Sequence, residues 1–309
     1  MRHRSKTTLA LGLAASTILY CGVALAQTPV KADSNSWRAS VIARAPVADP
    51  KDIPKDSSLW DAHRAGKLTY GGSKTQKLFS LQNPITGELE GFDATMALLL
   101  AKYVTGKPVV EEKIVTSETR EALLNNKSIQ AVLYTYSITP EREKKVDFAG
   151  PYFISGQSIA VREATNDIAK LEDLAKRKVC VTKGGTAYLT MTKRVPTADL
   201  ITLESSGECE TTLRQGRVDA EVQDRAVLLG QVSKGGLKLV GSTITYEPYG
   251  IGLPHNSAKS VAFLNNWLKT LIKDDIWQEV FDHTLGQAKG AKANIPVPGE
   301  NLTPKLNLD

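Results

Sequence analysis

An α/β architecture, with parallel strands covered by helices, is the expectation for this chain of 309 residues. Three observations carry it. Short β-like runs alternate with helical patterns through the middle of the sequence, which is the rhythm of strand-helix units. Apolar residues make up 41% of the chain and charged residues only 23%, enough to bury a core in one or two domains. Hydroxyl, glycine and charged residues gather where strand-like runs give way to helical ones, and that is where α/β folds hold ligands.

The first residues, MRHRSKTTLALGLAASTILYCGVALAQ, start with Arg2, Arg4 and Lys6, continue apolar without an acid, and reach the small-x-small pattern Ala24-Leu25-Ala26. Residues 1–26 are therefore expected to be a secretory signal peptide, which places the protein in the periplasm or on the outer face of the cytoplasmic membrane. Cys21 before Gly22 leaves a lipidated N-terminus as a second option, although Tyr20 stands where a lipoprotein signal wants a small side chain. No later run is apolar for long enough to span a bilayer. Losing Arg2, Arg4 and Lys6 takes three charges from the formal +6 and leaves +3. With no basic stripe interleaved with aromatics either, nucleic acid is not an expected partner. Cys180 and Cys209 then remain as an even pair in an oxidising compartment and are expected to be joined, buried free thiols being the alternative.

Residues 27–59 are rich in Pro, Asp, Ser and Lys, lack periodicity and read as a linker. The stretch 288–309 has the same character and is expected to be an extended, mobile tail. Between them, KLTYGG reads as a strand, DATMALLLAKYVTG as a helix running from Asp93 to a stop at Gly106, and VVEEKIV as a strand. The alternation continues with the strands IQAVLYTY and KVCVT, the helix ECETTLRQG, the strand VDAEVQ and the helix DRAVLLGQVSKGG.

Three strand-helix junctions carry the candidate chemistry. In TYSITPEREKKVDFAGPY a helix starts at the good N-cap Thr139 followed by Pro140. Arg142 nevertheless lies in its first turn, where the helix dipole prefers anions. The strand before it is expected to deliver Thr135 and Ser137 on one face, two residues apart. Two hydroxyls and a planar guanidinium match a carboxylate, the alternative being a solvated Arg142 and a plain cap. In VTKGGTAYLT two glycines lead into a helix expected to be capped by Thr186, with Thr182 and Thr186 placed to donate to an anion. Lys183 precedes the glycines, which excludes a Walker-type phosphate loop. In GRVDAEVQDRAVLLG, Asp224 stands between a strand and a helix, either as a cap or as the partner of a ligand cation.

The segments GELEGFDATMALLLAKYV, SITPEREKKVDFAGPYF, KVCVTKGGTAY, GRVDAEVQD and EPYGIGLP, in this order and spacing, resemble the type II periplasmic amino-acid-binding proteins of ABC importers, the family 3 solute-binding proteins. The likeness spans about residues 60–286, and SLQNPITGELEGFD with the cysteine pair points to the glutamate/glutamine-binding branch. It implies mixed sheets flanked by helices in two lobes joined by a two-strand hinge. Lobe 1 falls on 60–155 and 250–287, lobe 2 on 156–249, with crossovers near SGQSIAV and YEPYGIGL. It also implies an α-carboxylate site at Thr135, Ser137 and Arg142, reached by Thr186 from the other lobe, and an ammonium acceptor at Asp224. Gln130 and Gln223 depart from the family pattern, which more often has Asp at the first position and Thr or His at the second. Lys74 or Lys77 is a candidate for neutralising a distal carboxylate, and Phe79 for an apolar wall or for the core.

The function so implied is capture of glutamate, aspartate or their amides by hinge closure and delivery to the permease subunits of an ABC importer, as a monomer and without cofactor or metal. A sensor subunit for a membrane partner and a dehydratase-type enzyme on the same scaffold are the alternatives. No Ser-His-Asp set, metal-spaced cluster or paired acid motif is apparent, and His3, His63, His255 and His283 are scattered. The chain is therefore expected not to be an enzyme.

Overall fold

The computed structural model describes Met1 and residues 36–300. The expected signal peptide and the lipidation option at Cys21 lie outside the described residues. Two five-stranded mixed sheets organise the rest. In the first, Leu68–Gly72 lies between Val110–Ile114 and Ala131–Val132, all parallel. Beyond them Glu247–Leu253 runs antiparallel to both Ala131–Val132 and Asp147–Ser155. In the second, Asp199–Leu203, Lys178–Thr182 and Ala220–Asp224 are parallel, and Gln157–Arg162 and Leu237–Val240 close the sheet with antiparallel pairings. The alternation predicts the parallel strands except Asp199–Leu203, which the sequence reading did not single out. The strands on either side of the two crossovers pair antiparallel.

Both crossovers are short. Gly156 alone separates Asp147–Ser155 of the first sheet from Gln157–Arg162 of the second, and residues 241–246 lead back to Glu247. Glu247–Tyr249 pair with Ser155–Phe153 of the first sheet, so the return is complete before residue 250. A Cβ on Gly156 would stand 2.1 Å from the Thr245 carbonyl oxygen, so glycine is what lets the two crossovers touch backbone to backbone.

Local signals explain the helices. Phe92–Thr105 is buried almost all round and ends where Gly106 turns left-handed (φ +77°), its N–H donating to the Lys102 carbonyl. Ser206–Arg214 starts from a reciprocal capping box between Ser205 and Glu208. The core of the first sheet is aromatic: Phe79, Phe92, Tyr152, Phe153, Tyr249 and Trp277 are all at most 4% exposed, and rings of this size dominate burial energetics.

Two terminal expectations need correction. Residues 36–59, expected as linker, contain the helix Ser36–Arg44 and the start of Ser58–Ala65. Val41, Ala45 and Ile53 are buried, Trp37 stacks on His283 at 4.7 Å, and Arg38 donates to the Leu89 carbonyl at 2.6 Å. A nine-residue helix with so few apolar anchors leaves no periodicity to read. Residues 288–300 are extended, as expected, but held: Pro296 and Pro298 are buried and the Gly299 N–H donates to the Gly150 carbonyl at 2.7 Å.

Cys180 and Cys209 form a disulfide (Cα–Cα 5.6 Å) that ties the Lys178–Thr182 strand to the Ser206–Arg214 helix under Leu213, Val218 and Leu228. Reducing it, or making the paired Cys180→Ser, Cys209→Ser substitutions, should lower unfolding free energy by roughly 3–4 kcal/mol in the chain-entropy model. Denaturant titration with and without reductant checks this, and equal midpoints would refute it.

Candidate functional site

Arg142 sits in a four-residue helix, Pro140–Glu143, whose N-cap Thr139 accepts the Arg142 backbone N–H. Its side chain turns inward and is only 9% exposed. The guanidinium donates to the Ser137 carbonyl at 2.7 Å and, across to the second sheet, to the Gly184 carbonyl at 3.1 Å. The Tyr136 ring lies beneath it, 5.1 Å from Arg142 and 3.5 Å from a second buried guanidinium, that of Arg120. Burial and then the charge of Arg142 lower the Arg120 pKa to about 10, so Arg120 stays cationic at neutral pH.

The strand leading to Arg142 is shorter than expected. Ladder pairing stops at Val132, and Thr135 takes a left-handed conformation (φ +38°), unusual for a β-branched residue. The cause is Asp93: buried at the start of Phe92–Thr105, its carboxylate accepts the Thr135 N–H at 3.0 Å and the Tyr152 hydroxyl at 2.9 Å. Burial raises the Asp93 carboxyl to about 6, against those two hydrogen bonds. This turn, not strand alternation, brings Tyr134, Thr135 and Ser137 to one cavity.

On the second sheet, Asp224 ends the Ala220–Asp224 strand and precedes the helix Arg225–Val232, yet its side chain makes no cap hydrogen bond. It turns instead to Tyr249 of the first sheet, whose hydroxyl donates to Oδ2 at 2.7 Å. The other oxygen, Oδ1, is buried and has no donor among the described residues. Burial, then the nearby Glu247 carboxylate, push the Asp224 carboxyl far above the usual range. Glu247 is itself 2% exposed and accepts from Gln157, Thr245 and Thr186 at 2.9, 3.0 and 3.1 Å. Thr186 is thus the first residue of its helix, not the cap; Gly185 holds the cap position.

The two sheets stand in contact here. Lys183 pairs with Glu118 at 2.8 Å, Lys77 donates to the Ser233 hydroxyl at 2.9 Å, and a Cβ on Gly230 would lie 2.5 Å from the Lys77 carbonyl oxygen. Between them is a cavity of about 30 Å³, room for one or two waters. Thr135, Ser137, Arg142, Thr182, Thr186 and Asp224 all line it, so six of the nine candidate ligand residues converge.

The other three do not line it. Phe79 is fully buried, edge-on to Phe92, Phe153 and Tyr249, and belongs to the core. Lys77 is engaged with Ser233, and Lys74 faces Glu112, lowering a carboxyl that burial raises to about 7. Neutral groups replace them. Gln76 donates to the Thr135 hydroxyl at 3.3 Å while its Oε1 is buried without a partner among the described residues, and Ser117, Tyr134, Gly185 and Gln223 complete the lining. Gln223 donates to Thr182 at 3.0 Å and accepts the Asp224 N–H at 2.8 Å. Gln130, the other departure from the family pattern, accepts the Thr69 N–H at 2.6 Å, a structural use. Glu247, Asp93 and Arg120 were missed by the sequence reading, although an acid inside the apolar EPYGIGL and another opening an apolar helix were signals of buried polar partners.

Arg142 and the buried Asp224 thus face one cavity from the two sides joined by the crossovers. Residues 68–287 match the bacterial extracellular solute-binding proteins, family 3. The ABC transporter glutamine-binding protein of Bacillus subtilis (strain 168) is 35% identical over 218 residues, 70% of this chain and 80% of the relative. The glutamine-binding protein of Geobacillus stearothermophilus is 38% identical over 218 residues, with the same coverage of 70% and 80%. Among solved structures, an ancestral arginine-binding protein bound to glutamine is 32% identical, with a TM-score of 0.67 over 72% of this chain and 99% of that one. The matched residues include both sheets, both crossovers and every cavity-lining side chain, and the chain belongs to the bacterial extracellular solute-binding proteins, family 3.

Proposed function

We propose that this protein, exported from the cytoplasm, binds glutamine by closure of the two sheets about their crossovers and delivers it to the permease subunits of an ABC importer. The observation that carries the reading is the division of the cavity: Arg142 on one sheet, Asp224 on the other, and only neutral groups elsewhere in the lining. Arg142, Ser137 and Thr135 take the α-carboxylate, with Thr182 and Thr186 approaching from the second sheet, and Asp224 takes the α-ammonium. Both formal charges are then used by the ends common to all amino acids. The side chain meets Gln76, Ser117, Tyr134 and Gln223, whose amides and hydroxyls suit a carboxamide, and no lysine reaches in to neutralise a distal carboxylate. The names of the two glutamine-binding relatives point the same way.

Closure follows from the same charges. An ionised carboxylate buried beside Glu247 needs a cation, and the ligand ammonium supplies one only with the sheets together, so the ligand has far more contacts in the closed form. Glutamine is larger than the 30 Å³ present between the sheets, so it enters by parting them. Among the described residues no helix is long and apolar enough to cross a membrane.

In a thermal-shift screen of the common amino acids, glutamine should rank first, adding about 2.7 kcal/mol at 100 times its dissociation constant. Arg142→Ala should cost binding about 2–5 kcal/mol by calorimetry, as truncation of a buried charge pair does. Arginine or lysine ranking first, or an unchanged Arg142→Ala affinity, overturns the assignment. Gly230→Ala separates closure from chemistry. Its new methyl meets the Lys77 carbonyl only in the closed form, so affinity should drop about tenfold or more while the isolated fold gains up to about 1 kcal/mol of helix propensity. Affinity should also depend on pH with a definite sign. Because the Asp224 carboxyl is raised to about 8, a proton competes with the ammonium and is released on binding. The dissociation constant should therefore weaken as pH falls from about 8 toward about 5, by at most tenfold per unit for one proton. A flat profile over that window contradicts the role of Asp224.

A further inference from the structure

We propose a second ligand site in this protein, at the crossovers, for a small organic anion with an apolar body. A cavity of about 360 Å³ lies there and shares no lining residue with the one between Arg142 and Asp224. Its volume falls in the range of small-molecule sites, and it is an order of magnitude larger than the first. Both crossovers form its walls, through Ser155-Gly156 and Gly241–Thr243, and the chain at 290–294 runs along its edge.

The lining has two kinds of surface. One is apolar: Phe153, Phe281, Leu285, Ala226 and Leu229 all present to it and are each at most 6% exposed. The other is cationic. Arg225 and Lys292 both line the cavity, and neither is in an ion pair among the described residues. Arg225 is half-buried, its guanidinium 3.8 Å from where a Cβ on Gly290 would stand. A half-buried guanidinium beside an aromatic floor, with the Ser242 and Thr243 hydroxyls at the rim, fits a carboxylate carried on an aryl or alkyl body.

The site is wired to the first one through a single peptide. Asp224 faces the Arg142 cavity and Arg225, the next residue, faces this one; the Arg225 N–H donates to the Gly156 carbonyl at 2.7 Å and the Ala226 N–H to the Ser155 hydroxyl at 3.3 Å. The walls also come from both bodies, Ala226 and Leu229 from the second sheet's helix and Phe281 and Leu285 from the first sheet's side, so rotation about the crossovers changes the cavity's shape. An anion that fits it with the sheets in contact favours that arrangement and tightens amino-acid binding, and the effect is reciprocal. The coupling, though not the site itself, rests on the closure reading above.

Phenylacetate is a suitable probe for the full exported chain, with acetate supplying the charge alone and benzyl alcohol the body alone. Calorimetry should show saturable phenylacetate binding below about 10 mM, the weak end of specific affinity, and both controls binding at least about tenfold more weakly. Arg225→Gln should remove the binding and Lys292→Gln weaken it, both leaving glutamine affinity without phenylacetate unchanged. Saturating phenylacetate should tighten glutamine binding about fivefold, at the low end of allosteric coupling, in the unmutated chain and not in Arg225→Gln. Absence of saturation, binding indifferent to Arg225→Gln, or simple competition with glutamine overturns the site. Arg225-dependent binding that leaves glutamine affinity unchanged overturns the coupling. Glutamine titrated alone decides the closure reading separately, so the two failures are distinguishable.

Discussion

Burial of the Asp224 carboxylate is the constraint on which the rest of the structure depends. Taking an ion of that kind out of water costs several kcal/mol, and a second carboxylate, Glu247, stands close enough to raise the cost. The protein compensates in part, through the Tyr249 hydroxyl on Oδ2, and Oδ1 has no donor among the described residues. Glu247 and Tyr249 are two apart on one strand and so lie on one face of it, and that strand begins where the return crossover ends. The end of the return crossover and the Asp224 end of the cavity are therefore built from neighbouring residues. A change of charge at Asp224 is felt where the sheets turn, without any relay in between.

The opposite end of the cavity solves the inverse problem, holding positive charge in place with little negative charge nearby. Two guanidinia share the Tyr136 ring, and Arg142 spends its donors on backbone carbonyls from both sheets, Ser137 on one and Gly184 on the other. Carbonyls orient a guanidinium without neutralising it. That leaves the full charge at the cavity and fixes the fork geometry. Asp93 performs a similar service one layer down, forcing Thr135 into a left-handed turn from a fully buried position. Strain of this sort persists where the surroundings over-determine it, and here the surroundings are the helix Phe92–Thr105 and the Tyr152 hydroxyl.

How much of this was legible follows from range. Elements with strong local signals could be read: Gly106 stopping a helix, Ser205 and Glu208 boxing another, the strands at Leu68, Lys178 and Ala220. So could Arg142, because it broke a local rule in the first turn of its helix. What could not be read depends on partners distant in sequence. The strand into Thr135 stops early because of Asp93, 42 residues before it. Asp224 abandons the cap because of Tyr249, 25 residues after it. The helix Ser36–Arg44 is held by Arg38 reaching the chain at Glu88 and Leu89, a contact no periodicity announces. Glu247 was visible only as an acid in an apolar strand, and its partners Gln157 and Thr186 are 90 and 61 residues away.

The same distinction separates recognition of amino acids in general from choice among them. The charged anchors come from the strand-helix junctions, where the fold fixes them, and in the proposed binding mode they meet the atoms that every α-amino acid shares. In the same proposed mode, choice falls to the loop after the first strand, and there the sequence offers Lys74, Gln76 and Lys77 within four positions. Alternation in the short strand Thr75–Gln76 decides which one enters: Gln76 is buried toward Thr135 while Thr75 is exposed. The lysines on either side fall to other partners, Glu112 for one and Ser233 for the other. A shift of register by one residue would bring a cation to the cavity in place of an amide. The neutral lining on this side of the cavity is thus a property of how that loop is folded, and two lysines beside the cavity add no positive charge inside it.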